Sequence, residues 1–284
     1  MSIAPALWRI ARPKSDSAKQ APLIVNVPHA GTFLPPTIAQ MVTPAGFGVP
    51  DTDWHVDKLY DFVPALGATL MVATHSRIVV DLNRDPSGDA LYPGASNTEI
   101  CPTRTFAELP IYLPGMEPDS AEIASRVEQF WQPYHRQLAT EIARAKAMHG
   151  YCILLDAHSI VSVAPRFFSG RLPDLNLGSA DGKSCAASLA DGAFRVLSEA
   201  DGFSAVHNGR FKGGYITRHY GDPGNNVQAL QLEMAQRCYM DEAAPAQFNT
   251  TQSAKLRAVL NSLVELLLNW HPAVGTETKK WEHS

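Results

Sequence analysis

The chain has 284 residues, 45% hydrophobic and 18% charged, which excludes an intrinsically disordered protein and leaves apolar material for a large core. Its net charge of −4 gives no general attraction for nucleic acid or anionic lipid, so an anionic substrate has to be gripped by a few local arginines. No apolar run reaches the roughly 18 residues of a membrane span, and neither a secretory pattern nor a CxxC pair is present; the chain reads as one cytoplasmic α/β domain over 1–284, its core at about 20–270 between polar termini.

Residues 1–21 form a polar, proline-containing lead-in. Leu23–Val27 is a short apolar, β-branched run suited to a buried strand, and Pro28, which has no N–H for a ladder, takes the chain out of the sheet at His29. A histidine at a strand end, followed by Gly31, lies where open α/β sheets keep their ligand crevices, and is a candidate metal ligand or a turn residue. Residues 43–50 read as surface loop. Asp51-Thr-Asp-Trp-His-Val-Asp57 then opens a helix, with Val56, Leu59, Tyr60, Val63 and Leu66 at helical spacing and Gly67 as the stop. Asp51 or Asp53 suits the N-cap; one cap suffices, which leaves a carboxylate for the His29 crevice, Asp53 being the candidate and Asp51 the other.

Residues 68–74 and 78–82 read as the second and third strands, the third running into Asn83-Arg84-Asp85-Pro86-Ser87-Gly88 with Arg77 and Arg84 at its two ends. Residues 92–118, with five prolines and no sustained period, are a long loop of the functional or lid type. Asp119 to His149 carries the longest helical stripe (Ile123, Val127, Phe130, Trp131, Tyr134, Leu138, Ile142), which Pro133 should kink or divide and Gly150 should end. Tyr151-Cys-Ile-Leu-Leu is a strand running into Asp156-Ala-His158; Asp156 and His158 share a face, and a carboxylate beside a ligand histidine fixes its tautomer.

Residues 167–183, with Arg166 and Arg171, read as loop, 184–199 as a helix with a defect at Gly192, and 203–208 as a short strand ending in His207-Asn208. Residues 213–221 are β-prone, and alternation sets Tyr215, Thr217 and His219 on one face. Ala229-Leu-Gln-Leu-Glu-Met234 is the last strand, with Leu230, Leu232 and Met234 opposite Gln231 and Glu233; a buried glutamate is unfavourable unless paired or catalytic. An amphipathic helix over 251–270 closes the fold.

His29, His158 and Asp53 form a two-His-one-carboxylate set of the kind that holds one divalent metal ion, zinc above all, with an open position for water. Glu233, from another strand, would take the proton of that water. Its bland alternative is a structural pairing with Arg218 or Arg237, in which case Asp156 and His219 are the next candidates for the base.

The stretches VPHAG, DTDWHVDKLY, SRIVVDLNRDPSG, LLDAHS, GRFKGGYITRHYG and QLEM together resemble the N-formylglutamate amidohydrolase family over roughly residues 20–270. The resemblance implies a three-layer α/β fold of the phosphorylase/hydrolase-like type shared with zinc carboxypeptidases and aspartoacylases, a mixed central sheet flanked by helices. It also implies metal-dependent hydrolysis of N-formyl-L-glutamate to formate and L-glutamate, a step of histidine degradation. The wider superfamily begins its ligands with His-x-x-Glu; Thr32 stands at the glutamate position here, so the carboxylate is assigned to Asp53. The same resemblance puts Asn83 and Arg84 at the substrate's α-carboxylate, makes Glu233 the catalytic glutamate, and makes Arg77 the oxyanion-stabilising arginine. Arg166 and Arg171 are candidates for the side-chain carboxylate; His207, Thr217 and His219 complete the candidate substrate contacts. The alternatives are a zinc-dependent deacylase of the same fold acting on another N-acyl amino acid or a peptide C-terminus, and a non-catalytic binding domain, which would need no base at Glu233.

Overall fold

A computed structural model describes residues 4–13, 20–89 and 97–272. Among these residues seven strands form one sheet in the order β1-β3-β2-β4-β7-β5-β6: β1 Trp8–Ala11, β2 Leu23–Val27, β3 Thr69–Ala73, β4 Cys152–Ile160, β5 Leu175–Gly178, β6 Ala205–His207 and β7 Val227–Ala235. Pairing is parallel except for β1 with β3 and β5 with β7, so the sheet is mixed. Helices cover both faces. Val25, Leu155 and Leu232 pack with Leu189, Leu256 and Leu260 of the Ala187–Ser198 and Thr250–Asn269 helices; Ile24, Leu154 and Ala229 pack on the other face with Tyr134, Leu138 and Ile142 of the Gln132–His149 helix. Each such leucine, fully buried, stabilises the fold by about 1.5–3 kcal/mol. Among the described residues no helix is long and apolar enough to cross a membrane.

The two faces differ along their length, and that difference builds the site. On the Leu155/Leu232 face the strands stay apolar to their ends. On the opposite face Ile24 gives way to Asn26, Leu154 to Asp156 and His158, and Ala229 to Gln231 and Glu233, all buried. Register then sets Asp156 beside both Asn26 and Gln231, and His158 beside Glu233. The polar residues thus gather at the carboxyl ends of parallel strands, the usual place for ligands in open α/β sheets.

Several elements differ from the sequence reading, each for a physical reason. Residues 78–82 are not a strand. The main chain turns, with Val79 N–H donating to Ser76 O at 2.9 Å, and Arg77 Nη2 reaches Asp81 Oδ2 at 2.6 Å. In a strand those two residues would stand about 13 Å apart. Ile78 and Val79 are instead buried in a separate cluster with Ile38, Val42 and Ile111. Two strands, β1 in the lead-in and β5 in the expected 167–183 loop, are only four residues long and offered no extended β-branched run. The 51–67 helix is two short pieces, Val56–Leu59 and Val63–Leu66; neither aspartate caps the first, whose N-cap is His55 with a left-handed φ of 63°. The long helix is interrupted by a π turn at Val127–Trp131, which leaves Pro133 in the first turn of the Gln132–His149 segment, where its missing N–H costs nothing. Of the expected 92–118 loop, residues 92–96 lie outside the described residues; 97–118 is irregular chain as expected.

Residues 215–220 are a helix, not a strand. Two amide side chains from distant strands and loops supply its start: Asn83 Oδ1 accepts from Ile216 N–H at 2.8 Å and Gln231 Oε1 from Gly214 N–H at 2.7 Å. Gly213 is left-handed at φ 119°, and a Cβ on Gly214 would collide with the Asn83 amide, so this approach needs both glycines.

Candidate active site

His29 follows β2 after Pro28, and its carbonyl accepts from Asp53 N–H at 3.0 Å, which ties the two loops together. The turn passes so close to Thr74 and His75 that any side chain at Gly31 would strike their backbone. Within this frame one nitrogen of His29, one carboxylate oxygen of Asp53 and one nitrogen of His158 lie within 4.8 Å of one another, all buried. His29 Nδ1 stands 3.8 Å and His158 Nδ1 3.0 Å from Asp53 Oδ2, which also accepts from Ser159 N–H at 3.0 Å.

Behind each ring is a carboxylate. Asp81 Oδ1 lies 2.8 Å from His29 Nε2, and Asp156 Oδ2 lies 2.9 Å from His158 Nε2. Asp81 is fixed by Arg77, and Asp156 by Asn26 Nδ2 at 2.8 Å; Asn26 in turn accepts from the Tyr134 hydroxyl at 2.6 Å. Burial, reinforced by Arg77, keeps His29 below the ordinary histidine range, so the ring is neutral. Its Nε2–H is given to Asp81 and the Nδ1 lone pair faces Asp53 and His158. That Nδ1 and Asp53 Oδ1 are both buried without a hydrogen-bond partner. For Asp81, burial is outweighed by the charge of Arg77 and by the hydrogen bond from His29, which hold it well below the carboxylate range. His158 goes the other way: burial opposes its charge, but Asp156 and Asp53 raise it well above the usual value. Burial pushes the Glu233 carboxyl up to about 8.

A cleft of about 550 Å³, its open mouth included, lies over these groups. Asp53, Arg77, Asn83, Arg84, His158 and Glu233 all line it. Asp51 is not part of the set; it accepts from Phe106 N–H at 2.9 Å and so anchors the 97–118 loop. The Asn83 amide holds Asp156 at 3.3 Å and faces His158 Nε2 at 3.0 Å, so its visible work is to orient neighbours. Arg84 gives Nε to Thr98 O and Nη1 to Asn83 O.

The remaining candidates stand elsewhere. Arg166 donates to the carbonyls of Arg104, Thr105 and Asn97 and pairs with Glu108 at 3.0 Å; Arg171 is exposed outside the cleft. His207 bonds Ser179 Oγ at 2.8 Å and stacks on Phe194, while Thr217 is buried. His219 is exposed and stacks on Tyr215 four residues earlier, a helical spacing, so the expected shared face of residues 215, 217 and 219 does not form. None of these five lines the cleft, whereas Arg210, Phe106, Phe211 and Gln231, which the sequence did not single out, do.

The Asn83-Arg84 turn is held from the long helix by two side chains one turn apart. Trp131 Nε1–H donates to Arg84 O at 3.1 Å, and His135 Nε2–H donates to Leu82 O at 2.9 Å. His135 Nδ1 accepts from the Tyr220 hydroxyl at 2.9 Å, and the ring stacks on Trp131 at 3.7 Å. Burial lowers its pKa to about 4, so the folded protein keeps the ring neutral where the unfolded chain, titrating near 6.5, takes up a proton. That stability is whole above pH 6.5 and is lost as pH falls toward 4, on the order of 2 kcal/mol by pH 5. Urea unfolding of the parent and His135→Gln at pH 7 and pH 5 checks this: the parent should lose more stability than the variant, and parallel losses would assign the acid sensitivity to other groups.

An α/β sheet that collects two histidines and an aspartate at its strand ends, with a buried glutamate and several arginines in the same cleft, fits the class of hydrolytic enzymes that act on small anions. The sequence model of the N-formylglutamate amidohydrolase family matches residues 21–240. The chain is 46% identical over 251 residues to N-formylglutamate deformylase of Pseudomonas aeruginosa, covering 88% of this chain and 94% of that one. It is 43% identical over 249 residues to the enzyme of the same name from Pseudomonas putida, at 88% and 93% coverage. A crystal structure of N-formylglutamate amidohydrolase from Ralstonia eutropha JMP134 superposes with a TM-score of 0.76 at 28% identity, over 92% of this chain and 98% of that one. The chain belongs to the N-formylglutamate amidohydrolase family.

Proposed function

We propose that the chain hydrolyses N-formyl-L-glutamate to formate and L-glutamate as a metal-dependent amidohydrolase. The family and its named relatives support the substrate. The chemistry is carried by one observation: His29 Nδ1, buried without a hydrogen-bond partner among the described residues, stands 3.8 Å from Asp53 Oδ2 in a set with His158 whose ligand-type atoms all lie within 4.8 Å of one another. His29, Asp53 and His158 would hold one divalent ion, and an N,N,O set suits zinc. Asp81 and Asp156 behind the rings are the partners that orient ligand histidines. When bound, the ion would supply a Lewis acid for the formyl carbonyl and make water more acidic.

The chain's own residues supply the rest. Arg84 holds the substrate's α-carboxylate, with Asn83 keeping the neighbouring Asp156–His158 pair in place. Arg77, locked by Asp81, offers a fixed positive charge to the oxygen on which negative charge develops. Glu233 takes the proton of the attacking water and returns it to the leaving nitrogen as the C–N bond breaks. Within α/β proteins, ligands gathered at the carboxyl ends of a mixed sheet support the zinc carboxypeptidase and aspartoacylase type. Strands from residue 8 to residue 235 sharing one sheet support a single catalytic domain.

Purified protein should carry roughly one equivalent of metal, release formate from N-formylglutamate, lose that activity on chelation and regain it with zinc. Undiminished turnover after complete metal removal would rule out metal dependence, and equal rates across a panel of N-acyl amino acids would replace the narrow substrate by a broad one.

A further inference from the structure

Three arginines line the cleft: Arg77, Arg84 and Arg210. Arg77 is committed to Asp81 at 2.6 Å and stands 3.8 Å from Asp53, at the reacting end. Arg84 follows Asn83, whose amide touches His158, so it belongs to the same end. Arg210 arrives from a different part of the chain, the segment that joins β6 to the Tyr215–Tyr220 helix. Its Nε–H donates to Phe167 O at 2.7 Å, and its guanidinium carbon lies 5.4 Å from the centre of the Phe211 ring. Phe106, Phe167, Phe211 and Ile160 line the same cleft, which makes the wall around Arg210 largely apolar.

We propose that Arg210 is the specificity-determining residue that takes the side-chain carboxylate of the amino-acid half of the substrate. The assignment rests on the functional reading above and deepens it. N-formylglutamate is a dianion whose two carboxylates are separated by the α-carbon and two methylenes. With the formyl group at the His29–Asp53–His158 set, the α-carboxylate lies close to the reacting carbon and the second carboxylate farther away. Arg84, at the inner end, suits the first. Arg210 suits the second: the carbonyl of Phe167 fixes the plane of its fork, and the aromatic wall suits the methylenes between. Arg166, the nearest rival by sequence, does not line the cleft; it donates to backbone carbonyls and holds the 97–118 loop in place.

The test compares kcat/KM for N-formyl-L-glutamate and for N-formyl-L-glutamine, which has nearly the same shape but a neutral side chain. The parent should prefer the glutamate substrate by about 10- to 100-fold, the range for one charge-assisted contact. Arg210→Ala should lower kcat/KM for N-formylglutamate by about that factor, mainly through KM, and leave N-formylglutamine within about threefold, so that the preference flattens. Arg84→Ala should lower both substrates together. If Arg210→Ala does not fold by circular dichroism, Arg210→Gln is measured in its place with the same expectation. A variant that keeps the parent's preference, or that loses both substrates equally, overturns the assignment while leaving the functional reading intact. A parent inactive on N-formylglutamate overturns that reading, and the assignment with it.

Discussion

Glu233→Gln should fold, keep its metal and still bind N-formylglutamate, yet release formate at least about a hundredfold more slowly, within the 10²- to 10⁴-fold usual for loss of a general acid-base group. Hydrolysis of a formamide needs one group that first accepts a proton from water and then gives it to a poor leaving nitrogen. Glu233 lies on β7 beside His158 in register, lines the cleft, and is pushed up to about 8 by burial, close enough to neutrality for both transfers. The substitution removes the proton chemistry with little change of shape. Single-turnover formate release, metal content and substrate affinity measured on one preparation separate the readings. A variant that turns over within a few-fold of the parent, or that fails to fold, would make Glu233 structural and move the search to Asp156.

His29→Ala should lose its metal and its activity together, with kcat/KM falling by at least about a thousandfold, because several kcal/mol of charge stabilisation leave with the ion. Nδ1 of His29 is a buried nitrogen with no hydrogen-bond partner among the described residues, and it faces Asp53. Asp81→Asn is the graded companion. It keeps the ligand but weakens the group that orients it, and should reduce metal affinity by about 10- to 100-fold without abolishing turnover at saturating zinc. Stoichiometric metal retained by His29→Ala would exclude this histidine as a ligand, whatever happened to the rate.

The legible parts of this site are those that strand periodicity controls. Pro28 ends β2 at His29, a period of two sets Asp156 beside His158 and separates Glu233 from Leu232 and Met234, and these relations hold in the structure. Asp53 rather than Asp51 lies beside the two histidines, and the hydrogen bond from Asp53 N–H to His29 O that ties it there is a contact between loops. The 78–82 stretch looks like a strand because all its apolar residues are buried, but Ile78 and Val79 are buried in a small separate cluster and Val80 and Leu82 against the sheet-and-helix core, which leaves the same composition as a buried strand. The 215–220 helix was hidden for another reason: its caps are Asn83 and Gln231, and no local pattern announces a cap supplied from elsewhere in the chain. Arg210 sits in a glycine-rich stretch whose path local sequence does not reveal. Arg166 and Arg171, the candidates the sequence does offer, do not line the cleft.

The position of β7 governs how this enzyme comes into being during synthesis. It is the last of the described strands in sequence but lies inside the sheet, between β4 and β5. Until residue 235 has left the ribosome, the inner edges of β4 and β5 have no partner, and a nascent chain must keep two open strand edges from pairing with its neighbours. The three metal-ligand candidates are all made earlier, at residues 29, 53 and 158, and the glutamate arrives with the strand that closes the gap. Completion of the sheet and arrival of Glu233 are therefore one event, and a polypeptide stopped short of it has neither a closed sheet nor that glutamate.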